Sequence, residues 1–215
     1  MPKIIDHDDT RDAIADAFVR AISAKGSGSI TMREIAREAG ISQTLPLYYF
    51  DSREALVEFA FARQADLSVE NLHRLTRADW SARDRLCATI QWLVERATSD
   101  QAKWQTVIGM IVENREGSRI SELDRACYNT FLDELEALFD AFRRESSVEF
   151  APKGEAILLL TSTDGLALAT ASLGAAVKAM TPPLIALLFD RYGLSEPGGF
   201  AGKQTGTDTR DPQET

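Results

Sequence analysis

The side chains that could act as acid–base or nucleophilic groups are few and isolated. The two histidines, His7 and His73, lie in an acidic leading segment and on a charged helical stretch. Neither is placed for proton transfer, and no serine or cysteine has a recognisable base beside it. Cys87 and Cys127 stand forty positions apart with no C-x-x-C pair and no neighbouring histidine, so they read as buried reduced thiols rather than a disulfide or a zinc site. Glu113 and Asp164 could pair as carboxylates. A single acid within an apolar helix is more often a hydrogen-bonded structural group or a ligand contact. The chain is therefore expected not to be an enzyme, with no metal and no cofactor.

Recognition chemistry is better supplied. Gln43, Thr44, Leu47 and Tyr48 bring an amide, a hydroxyl, an apolar branch and a phenol into one short stretch. In a DNA major groove these would meet an adenine edge, a base-edge or phosphate acceptor, a thymine methyl and a phosphate. They can act together only if a helix turns them outward while another face holds that helix in place.

The elements around them provide this. Ile14, Phe18, Ala21 and Ile22 recur at helical spacing, and Gly26 follows as a stop. Thr31-Met-Arg-Glu34 is a capping box that opens a second, short helix with Met32, Ile35, Ala36 and Ala39 on its apolar face. Gly40 ends that helix, Ile41 tucks inward, and Ser42 is a good N-cap for a third helix to about Phe50. Pro46, Tyr49 and Phe50 then point inward, which leaves Gln43, Thr44, Leu47 and Tyr48 on the opposite face. Asp51 or Ser52 caps a fourth helix that runs to roughly Leu75. Two short helices across a glycine turn form a helix-turn-helix.

Further helices are expected near 81–98, 101–115, 119–145, 153–180 and 183–192, with Thr181-Pro182-Pro183 as a separator. The fold class is all-α. Residues 1–53 are expected to form a three-helix helix-turn-helix DNA-binding domain, residues 54–194 a second, helical-bundle domain, and residues 195–215, rich in Gly, Thr, Asp and Pro, a disordered tail. Net charge is −9, which opposes a polyanion at long range. Residues 1–53, however, carry seven Lys/Arg against eight Asp/Glu, so −8 of the total lies in the rest of the chain. Residues 157–177 are uncharged except for Asp164, but Thr and Ser dilute them and no basic cluster flanks them. They read as a buried helix rather than a membrane span. Because Met1 to Thr10 is acidic, no secretion signal is expected, and the expected location is the cytoplasm.

The T-M-x-x-I-A-x-x-A-G-I-S run from Thr31 to Ser42, followed by Tyr49-Phe50-x-Ser52-Arg53-x-x-Leu56, resembles the DNA-binding domain of the tetracycline-repressor (TetR) family. The likeness covers Ile14 to Leu56. It implies a bacterial transcription regulator that dimerises through its C-terminal helices and binds a small molecule in its second domain, with ligand movement relayed through the fourth helix. It also implies double-stranded operator DNA as partner. The DNA-binding set it suggests is Thr31, Arg33, Ser42, Gln43, Thr44, Leu47, Tyr48, Tyr49 and Arg53, with Thr31 and Arg53 on phosphates at opposite sides of the groove. Pro46-Leu47 departs from the family pattern of an apolar residue followed by Tyr or Phe, and Tyr48 is expected to take over the missing phosphate contact.

For the effector, Trp104, Val107, Ile108 and Ile111 form one stripe, and Tyr128, Phe131, Leu135 and Leu138 another. Asn114, Tyr128, Thr161 and Asp164 are polar groups embedded among them, and Trp92 lies off the main face of its helix. The expected ligand-binding set is Trp92, Trp104, Ile108, Ile111, Asn114, Tyr128, Phe131, Thr161 and Asp164, around a small, mostly apolar molecule. The expected function is a ligand-responsive repressor that binds a palindromic operator as a homodimer. The alternative is an all-α small-molecule-binding protein that has lost DNA binding, and the outer face of the third helix argues for retention.

Overall fold

The computed structural model describes residues 7–25, 30–113, 117–146 and 148–194. Among them are nine α-helices, one 3-10 segment and no strand. The expected stop at Gly26 and the tail at 195–215 lie outside the described residues, as does Asn114.

Helix α1 (His7–Lys25) begins upstream of the periodic run, so His7 opens a helix instead of lying in a mobile end. Its Ile14, Phe18 and Ile22 are buried against α2 (Met32–Glu38). The capping box of α2 is reciprocal: the Glu34 amide donates to Thr31 Oγ1 at 3.3 Å, and the Thr31 amide donates to Glu34 Oε2 at 2.9 Å. Gly40 takes φ +67°, a conformation that costs a side-chain-bearing residue strain. This lets the Gly40 amide reach the Arg37 carbonyl at 3.2 Å and the Ile41 amide reach the Ala36 carbonyl at 3.0 Å, which closes α2.

Helix α3 (Leu45–Tyr49) starts two residues later than a Ser42 cap requires. The cause is Pro46. With Ser42 as cap, Pro46 would stand at the fourth helical position, where its missing amide leaves the Ser42 carbonyl without its helical partner. Instead Leu45 donates to that carbonyl at 3.1 Å to close a tight turn, Thr44 becomes the cap residue, and Pro46 falls in the first helical turn, where no amide is needed. Ser52, not Asp51, caps α4 (Arg53–Thr76), its hydroxyl accepting from the Ala55 amide at 3.1 Å.

Two hydrophobic cores follow. The first joins α1, α2 and Phe50 to Leu56 and Ala60 of α4, so it continues past residue 53 into the fourth helix. The second lies among α4, α5 (Ala82–Thr98), α6 (Gln101–Glu113), α7 (Arg119–Glu145), α8 (Pro152–Leu173) and α9 (Thr181–Arg191). Helix α4 is thus common to both. Arg63, midway along it, reaches Asp12 at 2.5 Å and Asp16 at 3.0 Å on α1.

The single helix expected over 153–180 is broken at Gly174, with a 3-10 segment over Gly174–Met180. Gly174 has φ +57°, and a Cβ there would lie 2.5 Å from Gln101 Oε1. Gln101 and Gln105 of α6 both donate to the Ala171 carbonyl, at 3.3 and 2.9 Å, and satisfy the C-terminal end of α8. Thr181-Pro182-Pro183 does not separate helices; it opens α9, whose first turn tolerates proline. Helix α8 is apolar and long enough by composition to cross a membrane, but its Ala156, Leu159, Leu160 and Leu166 belong to the second core. Glu155 at its start accepts from Arg191 at 2.7 and 2.9 Å and from the Tyr192 hydroxyl at 2.8 Å, which pins α8 to the end of α9. Ile157, Leu158, Leu168, Leu173, Met180 and Leu187 remain exposed on α8, the 3-10 segment and α9.

Candidate nucleic-acid interface and ligand cavity

The outer face of the helix-turn-helix presents Gln43, Thr44, Leu47 and Tyr48 to solvent. Leu47 is 59% exposed and Tyr48 73%, in a molecule whose neighbouring Pro46 and Phe50 are buried, so the helix is anchored through one face and bare on the other. Tyr49 lies between these faces. Its hydroxyl is 3.1 Å from His7 Nδ1 and its ring stands edge-on to Tyr48 at 5.2 Å, so its phenol ties α3 to the first turn of α1. Ser42 is exposed, with its hydroxyl 3.3 Å from that of Thr44.

Thr31 and Arg53, far apart in sequence, are brought together: Arg53 Nε donates to the Ile30 carbonyl at 3.3 Å, immediately before the Thr31 cap. The Thr31 hydroxyl also lies 3.0 Å from Glu34 Oε2. Arg33 and Arg37 are exposed on α2. His73 Nε2 lies 3.3 Å from Glu134 Oε1 on α7, a carboxylate that also pairs with Arg77.

A cavity of about 380 Å³ opens among α4, α5, α6, α7 and α8. Six of the residues expected around a ligand line it: Trp104, Ile108, Ile111, Tyr128, Phe131 and Asp164. Two do not. Trp92 stands behind Phe131, ring centroids 6.1 Å apart, and the exposed Thr161 bonds its own helix at the Ile157 carbonyl at 2.7 Å. Phe61, Gln64, Arg96, Lys103, Asp124 and Cys127 also line the cavity and were not picked out from the sequence. Charged residues on helices read by default as solvated. The available clue was the spacing of Arg96, four residues after Trp92 and between the apolar pair Leu93-Val94 and Ala97.

The Arg96 guanidinium lies over three rings, 5.1 Å from the centroid of Trp104, 5.4 Å from Phe131 and 5.9 Å from Trp92. Trp104 is fixed for this by its indole N–H, which donates to the Arg96 carbonyl at 3.1 Å. Burial pushes the guanidinium below its ordinary pKa, and it still stays charged. Each ring face supplies about 0.5–2 kcal/mol, against several kcal/mol for taking a cation out of water, so the rings offset only part of that cost. Burial, then repulsion from Arg96, lowers the Lys103 ammonium as well, with Asp100 opposing. Lys103 has a long 3.4 Å contact to Gln64 Oε1.

Burial raises the Asp124 and Asp164 carboxyls; for Asp164 the charge of Arg96 works against that rise and Asp124 adds to it. Asp164 keeps contact with solvent while protein crowds it from the cavity side. The Tyr128 phenol and the Cys127 thiol are also raised, chiefly by burial, which holds both in their neutral forms at pH 7. Among the described residues no group of three or more His, Cys, Asp or Glu could hold a metal.

The walls of this cavity also border the first core. Phe61, Gln64, Lys103 and Val107 are shared with a smaller apolar cleft that contains Phe18, Val19 and Ile22 of α1. Met110, further along α6, packs against the first core.

Residues 14–59 match the family profile of bacterial regulatory proteins, tetR family. Over 126 residues the chain is 35% identical to the HTH-type transcriptional regulator BetI of Agrobacterium fabrum, a stretch that covers 58% of this chain and 59% of that protein. The chain thus spans about three fifths of the length of the curated relatives it matches first. Two solved structures share its fold. A putative transcriptional regulator from Saccharomonospora viridis in complex with choline superposes with a TM-score of 0.71 at 18% identity, covering 85% of this chain and 96% of that one. The regulator FadR from Bacillus subtilis in complex with stearoyl-CoA gives 0.61 at 14% identity, covering 82% and 96%.

Proposed function

Because the chain belongs to the tetR family of bacterial regulatory proteins, we propose that it is a ligand-responsive repressor that binds a palindromic operator as a homodimer and leaves it when a small molecule enters the cavity. The observation that carries this reading is the outer face of α3. Gln43 and Thr44 in the turn and cap before α3 and Leu47 and Tyr48 on the helix are exposed together, while Pro46 and Phe50 on the other side are buried, and Leu47 is left 59% exposed. A major groove supplies partners for all four.

In this reading Thr31, Arg33, Ser42 and Arg53 hold phosphates beside the recognition helix, and Tyr48 reaches a further one. Tyr49, bonded to His7, sets the angle of α3 against α1. Residues 1–53 with the first turns of α4 form the DNA-binding unit, and 54–194 the effector-binding and dimerisation unit. The exposed Leu173, Met180 and Leu187 pair across the dimer axis, which places two recognition helices about 34–36 Å apart on successive major grooves. The protein works in the cytoplasm, where its DNA is.

The relay from cavity to DNA runs through two helices. Helix α4 presents Phe61 and Gln64 to the cavity and Leu56 and Ala60 to the first core, and Arg63 clamps it to α1. Helix α6 presents Lys103 and Val107 to the cavity and Met110 to the first core. A ligand that alters the spacing of α4 and α6 therefore moves α1 and α3. A coupling of about 1–3 kcal/mol changes operator affinity by roughly 5–150-fold. Choline and stearoyl-CoA, bound by the two fold neighbours, differ in charge and size, so they support small-molecule control as a class without naming the ligand here.

The test is selection of genomic DNA fragments by the purified protein. Recovery of fragments that share an inverted repeat, with affinity falling steeply as salt is raised, is the expected result. Recovery no different from bulk DNA refutes it.

A further inference from the structure

Arg96 is a permanent cation in the cavity wall, and among the described residues none accepts a hydrogen bond from it. Its company is three aromatic rings, and its nearest carboxylate influence, Asp164, acts through space without a hydrogen bond. A second cation, Lys103, faces the same cavity with one long contact to Gln64.

The rings carry a further consequence. Aromatic faces beside carboxylates commonly receive a cationic ligand, but here the faces of Trp104 and Phe131 are already taken by the protein's own guanidinium. A ligand ammonium would have to displace Arg96 and then lie beside it. The fork of N–H donors on Arg96 matches the two oxygens of a carboxylate.

We propose that the cavity binds an organic monoanion, with a carboxylate head held by Arg96 and Lys103 and an apolar body lying along Val107, Ile108, Ile111 and Leu168. This rests on the reading of the cavity as the effector site and names its ligand class. Asp124 and Asp164 do not forbid it. Burial raises both carboxyls, and the charge of an entering anion raises them further, so their protonation is coupled to its binding.

The experiment uses the full chain at pH 7 and three probes of one chain length: octanoate, octanamide and octyltrimethylammonium. Calorimetric titration and thermal shift are read for each. Octanoate is expected to bind at least about ten-fold more tightly than octanamide, the effect of replacing neutral hydrogen bonds by charge-assisted ones, with the ammonium weakest. Arg96→Gln removes the preference for octanoate over octanamide, and Arg96→Lys keeps part of it. If Arg96→Gln fails to fold by circular dichroism, the ranking on the unaltered protein still decides.

Equal binding of octanoate and octanamide, tightest binding of the ammonium, or binding of none of the three overturns the proposal. Operator affinity is measured separately on the selected duplex. Octanoate bound with the duplex retained leaves the anion site standing and refutes ligand control. The duplex bound with no octanoate uptake leaves the DNA reading standing and refutes the anion site.

Discussion

Replacing Phe50 by alanine should detach the recognition helix from the protein while leaving the second core intact. Phe50 is 2% exposed, and its amide closes α3 on the Pro46 carbonyl at 3.0 Å. Its ring meets Phe59 at a centroid distance of 5.4 Å and carries the Arg11 guanidinium at 5.3 Å. Removing a buried phenyl costs about 3–5 kcal/mol, and the upper half of that range applies here. The aromatic pair is lost with the ring, and Arg11, whose Nε is buried with no hydrogen-bond partner among the described residues, loses one of the two rings it lies over. The first core is small, so about 4 kcal/mol is a large part of what a domain has. Urea unfolding followed by circular dichroism gives the loss, and exchange of the α3 amides shows where it falls. Operator affinity should vanish, whereas thermal shift with octanoate should persist, because the cavity lining does not include Phe50. Phe50→Leu should recover most of the stability. A loss below about 1 kcal/mol in Phe50→Ala, with operator binding retained, refutes the argument that this ring holds α3 in place.

Arg63→Ala removes the clamp between α4 and α1; because Arg63, Asp12 and Asp16 are all partly exposed, stability should fall by only about 1 kcal/mol. Operator affinity should fall at least about five-fold, since the angle between those helices sets the position of α3; gel shift and melting on the same sample separate the two effects. Glu155→Ala should cost about 2 kcal/mol in urea unfolding, mainly for the buried Tyr192 hydroxyl left without its charged acceptor, since Arg191 is half-exposed and rehydrates. Hydrogen bonding from Arg191, and less strongly from Tyr192, holds the Glu155 carboxyl below its ordinary range against the opposing effect of burial. The unfolded chain therefore takes up that proton first, and the contribution of Glu155 is full above the ordinary glutamate pKa of about 4.3 and is lost as pH falls below it. Glu155→Gln should flatten the decline in urea midpoint between about pH 5 and pH 3.

The parts legible in the sequence were those fixed by local chemistry. Thr31 and Glu34 cap α2, Gly40 closes it, and α5 and α7 begin at Ala82 and Arg119, close to where the periodic pattern placed them. The start of α3 was misplaced because Ser42 looked like a cap while Pro46, four residues on, forbade it. The break at Gly174 depends on Gln101 and Gln105 from another helix, a contact that spacing does not report. In the cavity, the aromatic and aliphatic stripe of α6 and α7 was legible because apolar periodicity marks an inward face. Arg96, Lys103 and Asp124 were not, because whether a charged side chain turns inward depends on which helices pack beside it. Trp92 and Thr161 missed for the converse reason, since each satisfies itself locally against Phe131 or its own helix backbone.

The central claim is that the exposed face of α3 reads operator DNA, and the direct measurement is a fluorescence-anisotropy titration of duplexes recovered from genomic selection. Wild type, Gln43→Ala and Tyr48→Phe are each titrated against the parent duplex and against single-base-pair variants of it. Gln43→Ala should lose about 1–3 kcal/mol of discrimination at one position of each half-site, and Tyr48→Phe should weaken all duplexes alike, both with melting unchanged. If both variants bind every duplex with wild-type affinity, this face does not meet the DNA.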